Sequence, residues 1–189
     1  APTTGDATFG QSTPEASTMP SGLAAGFAML RRAQSASDMP AAFLLQAVQP
    51  TPTSGVGSRF GVNPALTRLA GKPGGAPVWL VPGSSGACLL DASGGGGCGP
   101  TAGSKGIARQ GIYLVRVPVN GDPPTARGIL PDGATVQAVD STGSPIAGVQ
   151  ESGQAYALPP GTASFTIHFK DGSTINEPMP ASGAPPPGP

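Results

Sequence analysis

The sequence predicts a mostly-β α+β protein. Short N-terminal helices are expected to pack on a disulfide-stapled hairpin, which is followed by a small Ig-like antiparallel sandwich. Two apolar runs, residues 78–81 and 88–90, face each other across a glycine–serine turn and predict the hairpin. Residues 112–119 alternate with period two, which predicts a third strand. From residue 128 onward, short β-type runs are separated by turn signals every ~8–12 residues, the spacing of a sandwich or an open barrel.

Composition places disorder at the two ends of the chain. Glycine (30 residues) and proline (24 residues) together exceed a quarter of the 189 residues, a level typical of partly disordered chains. The first twenty residues offer too few apolar side chains to offset the entropy of ordering. We therefore expect tails over residues 1–20 and 181–189, the second with polyproline character, a helical and hairpin segment over 21–127, and the β module over 128–180.

Charge is sparse and balanced, with ten basic and ten acidic residues and a net charge of zero. Neutrality removes the long-range field on which nucleic-acid binding and polybasic membrane anchoring depend, so no nucleic-acid partner is expected. The sequence contains no tract of ~18 apolar residues that would span a bilayer. Its first residues lack the basic and apolar regions of a secretory signal. If the protein is exported, we therefore expect this sequence to be its mature form.

Helix signals are confined to residues 21–71. Leu23, Phe27 and Leu30 recur at the i, i+4, i+7 spacing of one helical face. Asp38 is expected to cap a second short helix that has Pro40 in its first turn and runs through AAFLLQAV. Leucine-rich stripes of this kind are typical of core packing rather than of a cofactor site.

The best-marked helix covers residues 63–71. Asn63 is a good N-cap, Pro64 suits the first helical position, and Gly71 suits the left-handed residue that follows a helix end. Two turns are too short to persist alone in water. This helix is therefore expected to pack against the rest of the chain.

Cysteine usage is the best indicator of the compartment. Cys88 and Cys98 lie ten positions apart, and glycines 94–97 give the connector the freedom that disulfide geometry requires. Such a bond is typical of secreted proteins, so an extracellular or cell-envelope location is expected. The alternative is two unpaired buried thiols. Two cysteines and the single histidine, His168, are too few for a closed zinc site.

The C-terminal module is built from five predicted strands separated by turns. Asp171-Gly172 is a strong signal for the last hairpin. In the strand before it, apolar side chains occupy alternate positions, which places His168 on the solvent side. The five strands are expected over residues 135–139, 145–149, 154–158, 164–170 and 173–177.

The apolar faces of these elements define a predicted core, with Trp79 as its centre. Its members come from the helical segment, the hairpin, the third strand and the C-terminal module. They are Phe27, Leu30, Leu44, Leu66, Leu69, Trp79, Val81, Leu89, Tyr113, Val115, Val136, Tyr156, Phe165 and Ile167.

A serine hydrolase is the sharpest enzyme hypothesis. Gly83-Ser84-Ser85-Gly86 follows a strand, and His168 supplies a base that an aspartate would orient. However, the G-x-S-x-G nucleophile elbow is absent and a strand pattern follows the serines where a helix is needed, so a hairpin turn explains the same residues. The aspartates considered as the third member are Asp91, Asp132 and Asp171.

Other chemistry is weakly supported. Glycines 94–97 lack the G-K-[ST] signature of a phosphate loop, and the spacing of the acidic residues matches no calcium loop. The basic doublet Arg31-Arg32 predicts a solvated helix face or, less favoured, a docking site. No catalytic, metal or cofactor site is therefore expected. The candidate calcium ligands are Asp132, Asp140 and Asp171, and the candidate paired carboxylates are Glu15, Glu151 and Glu177.

Three signatures resemble a group of exported, uncharacterised actinobacterial proteins. They are FAMLRR at residues 27–32, VWLVPGSSGACLL before a glycine-rich CG, and GILPDGATVQAVDSTG followed by a strand and a final KDG hairpin. The similarity covers roughly residues 23–180. It implies export and a β-rich C-terminal half, and it implies no reaction because the motifs are turns and strands.

The sequence favours a non-catalytic exported or cell-surface domain with a structural or protein-binding role. The predicted β module, the proline-rich ends and the shortage of titratable residues support this hypothesis. One alternative is a small-ligand carrier or a serine hydrolase that uses the Ser84/Ser85 turn, with a pocket between the helical half and the Trp79 hairpin. A further alternative is a subunit of a homopolymeric surface assembly, joined through exposed strand edges.

Overall fold

The computed structural model describes residues 18–48, 56–118 and 121–181. Most of the two predicted tails, residues 1–17 and 182–189, lies outside the described residues. Within these ranges the α+β, mostly-β fold class is confirmed. None of the helices there is both long enough and apolar enough to cross a membrane.

The elements are short. The helices are α1 (Ser21–Gly26), α2 (Ala28–Arg31), α3 (Ala42–Leu45), α4 (Val56–Arg59) and α5 (Ile107–Gln110), with 3-10 turns at Ala36–Asp38, Pro64–Leu66 and Pro73–Gly75. The strands are β1 (Arg68–Gly71), β2 (Val78–Pro82), β3 (Gly86–Asp91), β4 (Gly96–Pro100), β5 (Ile112–Arg116), β6 (Thr125–Ile129), β7 (Thr135–Val139), β8 (Pro145–Ile146), β9 (Gln150–Ser152), β10 (Ala155–Ala157), β11 (Ser164–His168) and β12 (Thr174–Pro178). The strands form three antiparallel sheets, β1-β2-β3-β4, β5-β6-β10-β9 and β12-β11-β7-β8.

The first sheet is covered on both faces. Every residue of β2 and β3 is buried, which explains why these strands read as continuous apolar runs. One face packs on α1, α2 and the second sheet through a cluster that includes Phe27, Leu80 and Ile129. The other face packs on α3 through a cluster that includes Leu44 and Trp79. This sheet is therefore the centre of the molecule.

The second and third sheets form the predicted C-terminal sandwich. Ala126 and Tyr156 of the second sheet pack against Phe165 and Ile167 of the third. The predicted boundary between residues 127 and 128 falls inside β6, which pairs with β5 on one side and with β10 on the other. The sandwich therefore includes β5, and the second sheet packs on the first sheet with its remaining face.

The Cys88–Cys98 disulfide is formed, as predicted. The hairpin of β2 and β3 is also confirmed, but the disulfide does not join its two strands. It links β3 to β4, where the two cysteines are directly opposite with Cα atoms 4.0 Å apart. The sequence did not predict β4 because four of its five residues, GGCGP, are glycine or proline and have low β propensity.

The helix predicted over residues 63–71 is wrong. Only Pro64–Leu66 forms a 3-10 turn, and β1 follows it. Asn63 does cap this turn, since its side chain accepts a hydrogen bond from the Ala65 N–H at 3.0 Å. Gly71 ends a strand rather than a helix, and an added Cβ there would collide with the carbonyl oxygen of Ser152. Pairing with β2 thus overrides a local preference that spans too few residues to nucleate a helix.

The other N-terminal helices are shorter than predicted. The helical face of residues 23–30 is interrupted at Phe27, whose backbone is extended with φ −135° and ψ 114°, although Leu23, Phe27 and Leu30 are all buried. Asp38 does not cap the second helix, which begins at Ala42. It ends a 3-10 turn instead, because its buried carboxylate accepts hydrogen bonds from elsewhere in the fold.

Most of the predicted core is buried, but Trp79 is not its most deeply buried residue. Trp79 is 7% exposed, and its Nε1 donates to the Ser37 carbonyl at 3.2 Å. The fully buried Leu80 and Leu89 lie deeper. Tyr113 is exposed to 37%. Four further predicted residues are only half-buried, namely Leu66, Leu69, Val115 and Val136.

Candidate binding cleft

A cleft of about 310 Å³ opens where β4, α5, the start of β5 and the strands β11 and β12 meet. This volume falls within the range of known ligand sites. Four isoleucines supply its apolar lining: Ile107, Ile112, Ile167 and Ile175. The polar lining consists of Lys105, Gln110, Tyr113 and Glu177, together with residues 97–99 of β4.

The strand β4 forms one wall of the cleft and is an edge of the first sheet. Positions 97 and 99 are glycine, and at Gly99 the missing side chain lets α5 approach the strand closely. A Cβ added at Gly97 would lie 3.6 Å from Leu114 Cδ1, and one added at Gly99 would lie 3.3 Å from Ile107 Cδ1. The strand therefore offers mainly backbone to a ligand in the cleft.

Hydrogen-bonding groups of this backbone point away from the sheet. The Thr101 N–H donates to the Ser85 carbonyl at 3.0 Å. This bond shows which residues of β4 direct their hydrogen-bonding groups toward β3. Because such bonds alternate along an antiparallel strand, the N–H and C=O groups of Gly96 and Cys98 face the open edge. Among the described residues, β4 pairs with no strand on that side.

The disulfide anchors this strand to the core. Cys88 is fully buried, in a cluster that includes Val48 and Leu90. Within the described β4, Cys98 is the residue whose side chain packs on a core cluster. The bond therefore holds in place an edge strand that its glycines would otherwise leave weakly fixed.

Tyr113 and Glu177 form a polar pair in the cleft. The Tyr113 ring packs edge-on against Phe165, with ring centroids 5.2 Å apart. Burial, and then the hydrogen-bonded carboxylate of Glu177, raise the pKa of Tyr113 to about 12. The phenol therefore stays protonated at neutral pH and donates to the carboxylate of Glu177 beside the apolar lining. Lys105 is exposed and adds a positive charge to the same cleft.

The two serines of the hydrolase hypothesis lie in the exposed turn between β2 and β3. The Ser84 N–H donates to the Gly61 carbonyl and the Ser85 N–H to the Phe60 carbonyl, each at 3.2 Å, so the turn is fixed by its backbone. His168 is exposed on the third sheet, as predicted. The serines and His168 thus belong to different sheets.

Two of the aspartates considered for that triad stabilise turns. Asp91 accepts a hydrogen bond from the Ser93 N–H at 2.9 Å, and its other oxygen lies 3.5 Å from the Arg116 guanidinium. Asp171 accepts one from the Ser173 N–H at 2.9 Å. Neither carboxylate hydrogen-bonds to a histidine within the described ranges.

Asp132 connects the C-terminal half to the N-terminal helices. Its Oδ1 accepts from the Ala28 N–H at 2.7 Å and from Gln154 Nε2 at 2.9 Å, while Oδ2 lies 2.6 Å from Arg31 Nη2. Gln154 Oε1 in turn accepts from the Met29 N–H at 2.9 Å. These two side chains satisfy the free N–H groups at the start of α2, and the interaction was missed because its partners lie more than a hundred positions apart.

Arg32 forms the second ion pair of the basic doublet. The fully buried Asp38 accepts from two Arg32 nitrogens at 2.5 and 2.7 Å, and from the backbone N–H groups of Ser35 and Leu69. Burial raises the pKa of Asp38, but these hydrogen bonds outweigh it and hold the pKa well below its usual range. The doublet predicted as a solvated face or docking site therefore makes two intramolecular ion pairs.

The remaining candidates lie in turns or strands. Asp140 Oδ1 accepts from the Thr142 hydroxyl at 2.7 Å and from the Thr142 N–H at 2.8 Å, and these hydrogen bonds help to lower the pKa of its carboxyl. Glycines 94–97 form the turn into β4 and its first residues. Within the described ranges, no three His, Cys, Asp or Glu side chains form a group that would hold a metal. Of the three glutamates considered, Glu151 is exposed on β9, Glu177 lines the cleft and Glu15 lies outside the described residues.

Fold and cleft together define a mostly-β protein in which a disulfide holds an open strand edge beside an apolar cleft. No protein-family model matches the chain, and searches of curated proteins and of solved structures find no match. Sequence reasoning placed a pocket beside Trp79, where the indole itself is packed, and it missed this cleft. The single cysteine among glycines at residues 96–99 was the available signal.

Proposed function

We propose that this protein is a non-catalytic exported domain that binds an extended segment of a partner protein in the cleft. The observation that carries the proposal is the open backbone edge of β4 beside four isoleucines. Peptides that add a strand to such an edge gain affinity from main-chain hydrogen bonds and specificity from pockets for alternate side chains. Both features are present in one place.

The chemistry of the cleft describes the segment it fits. One residue of the segment would exchange hydrogen bonds with Cys98, whose N–H and C=O groups face the open edge. An apolar side chain next to that residue would contact Ile107 and Ile175. A cationic group would suit Glu177, and an anionic group would suit Lys105.

Two observations support export. The disulfide is formed, and such bonds persist mainly in oxidising compartments. The resemblance of FAMLRR, VWLVPGSSGACLL and the final KDG hairpin to exported actinobacterial proteins points the same way. Analysis of protein isolated under thiol-blocking conditions from its natural source tests this part, because fully reduced Cys88 and Cys98 would contradict it.

Selection from a displayed library of random peptides tests the binding function. The wild-type chain should enrich peptides that carry an apolar residue in an extended context, and their binding should shift the Cys98 amide resonance. Ile175→Asp, which places a charge in the apolar lining, should abolish this binding. Phe43→Asp is the matched control, since Phe43 is 67% exposed and does not line the cleft.

The outcome is decided by comparing the variants. Equal binding of the selected peptides to wild type and Ile175→Asp would place the interaction elsewhere and contradict the proposal. Ile175 is half-buried, so Lys105→Glu, at an exposed position, serves as a second cleft variant that preserves packing. It should weaken the peptides that carry an acidic group and leave unfolding by urea unchanged.

A further inference from the structure

We infer that a second pocket, beside the cleft, binds an acidic group of the same partner segment through the guanidinium groups of Arg116 and Arg127. This role rests on the proposed function and adds a carboxylate to what the segment must carry. The pocket has a volume of about 130 Å³. Because a water molecule occupies ~30 Å³ in the liquid, this space suits a carboxylate on a short stem. It is lined by Asp91, Ser93, Leu114, Arg116, Thr125 and Arg127.

Strand pairing places both arginines on the face of the second sheet that packs on the first sheet. In the antiparallel pair of β5 and β6, Leu114 lies directly opposite Arg127. Arg116 lies directly opposite Thr125. Directly opposite residues share a face, as do residues two apart on one strand. Leu114 packs on the cluster between the first and second sheets, so the other three side chains also lie on that side.

The guanidinium of Arg127 lacks a negative partner. The residue is half-buried, and within the described ranges its side chain forms no hydrogen bond and no ion pair. A partly buried charge without a partner is unfavourable. Arg116 lies diagonally across the strand pair, within reach of a long side chain, so the two positive charges repel each other. An anion bound between them would offset both effects.

Asp91 leaves arginine donors available for such an anion. Its Oδ1 accepts from the Ser93 N–H at 2.9 Å, the Ser93 hydroxyl at 2.5 Å and the Gly95 N–H at 3.0 Å. Its Oδ2 lies 3.5 Å from Arg116 Nη2, which is longer than a normal hydrogen bond. The lining thus holds two positive charges and one negative charge, and the positive charge left over is that of Arg127.

The pocket continues the cleft along β4. A Cβ added at Gly97, in the cleft, would lie 3.6 Å from Leu114 Cδ1, and one added at Gly95 would collide with Arg116 Nη2. Arg116 therefore lies against the backbone two residues further along, a distance of ~7 Å. A segment that leaves the cleft toward the start of β4 meets the arginines next.

The direction of the added strand defines which carboxylates arrive there. A segment antiparallel to β4 reaches the arginines with its C-terminal side, about three positions after the residue that pairs with Cys98. An aspartate or glutamate at that position, or the C-terminal carboxylate itself, fits. Arginine binds a carboxylate through two parallel N–H···O bonds, and the hydroxyl of Thr125, which lines the same pocket, is a further donor.

Parallel selections from one displayed library of random peptides with free C-termini test this site, with the full-length chain as bait. The wild type should enrich an apolar residue followed by a carboxylate, whereas Arg127→Gln should enrich the apolar residue alone. Synthetic copies of the peptides that the wild type selects should bind Arg127→Gln about tenfold or more weakly, as loss of a charged hydrogen bond implies. Arg59→Gln, at an exposed arginine outside the pocket, should bind them as the wild type does.

Changes to the selected peptides identify the source of the carboxylate. Amidation of the C-terminus should weaken peptides that insert their terminus, and neutralisation of the acidic side chain should weaken those that insert a side chain. Arginine resonances give a direct readout that needs only the wild-type chain. The Nε–Hε signals of Arg116 and Arg127 should shift with an acidic peptide and stay in place with its neutral counterpart.

Three results overturn the inference: equal acid enrichment by wild type and Arg127→Gln, enrichment of apolar residues without any carboxylate, or an Arg127 Nε–Hε signal that an acidic peptide does not move. In each case the apolar preference that Ile175→Asp abolishes would persist, so the proposed function would stand. A wild-type chain that enriches no peptide would contradict the proposed function itself, and the carboxylate site with it.

Discussion

Asp38→Asn tests how the N-terminal region is held to the first sheet. Oδ2 of the buried carboxylate accepts from the Ser35 N–H at 2.6 Å, the Ser35 hydroxyl at 2.9 Å and Arg32 Nη1 at 2.7 Å. Oδ1 accepts from the Leu69 N–H at 2.7 Å and Arg32 Nη2 at 2.5 Å. Asparagine replaces one oxygen by an NH₂ group. In either orientation a donor then faces donors, and the charge that Arg32 needs is lost.

The expected loss of unfolding free energy is about 3 kcal/mol, because removing one partner of a buried ion pair costs ~3–5 kcal/mol and Arg32, with 39% of its side chain exposed, regains some hydration. The pH dependence follows from the lowered pKa of Asp38. Its stabilising contribution is complete above the unfolded-state pKa of ~3.9 and is lost as the pH falls toward the lower folded-state value. Acidification through this window should therefore destabilise the wild type more than Asp38→Asn.

Urea unfolding at neutral and acidic pH provides both measurements. The midpoint of Asp38→Asn should fall with an unchanged m-value, while Glu151→Gln, at an exposed strand position, should stay within ~0.5 kcal/mol of wild type. A loss below ~1 kcal/mol for Asp38→Asn, the average for any point mutation, would refute the role given to this carboxylate. Identical acid dependence of the two proteins would do the same.

Three further variants test the packing. Gly128→Ala should cost ~1–3 kcal/mol by overpacking, because a methyl group there would overlap the Tyr156 ring; a thermal melt equal to wild type would contradict that contact. Replacing Cys88 and Cys98 together by alanine should cost at least about 2.7 kcal/mol from loop-closure entropy, measured by urea unfolding, and the native protein should be two hydrogens lighter than its reduced form by mass. Trp79→Ala should cost ~3–5 kcal/mol, and a loss below ~1 kcal/mol would contradict its burial.

Sequence reasoning succeeded where local pattern and final environment agree. The hairpin of β2 and β3, the disulfide and the strands β7 and β11 have either strong periodicity or a specific marker, and all are confirmed. It failed where contacts with residues far away in the sequence determine the local structure. Residues 68–71 have a helical pattern but pair with β2, and Asp132, predicted as a turn residue, also caps α2. No local signal reports such a partner.

The cleft was missed because one of its walls, β4, is rich in glycine and has no strand pattern. An exposed edge strand with strand-forming side chains is a template for aggregation, and natural proteins protect such edges. Here β4 is short, its glycines give it little intrinsic strand preference, and α5 and β12 flank its open side. The disulfide compensates for the weak preference by fixing Cys98 opposite Cys88. Under the proposed function, the same glycine-rich backbone that hides this edge from sequence analysis would present it to a single extended segment.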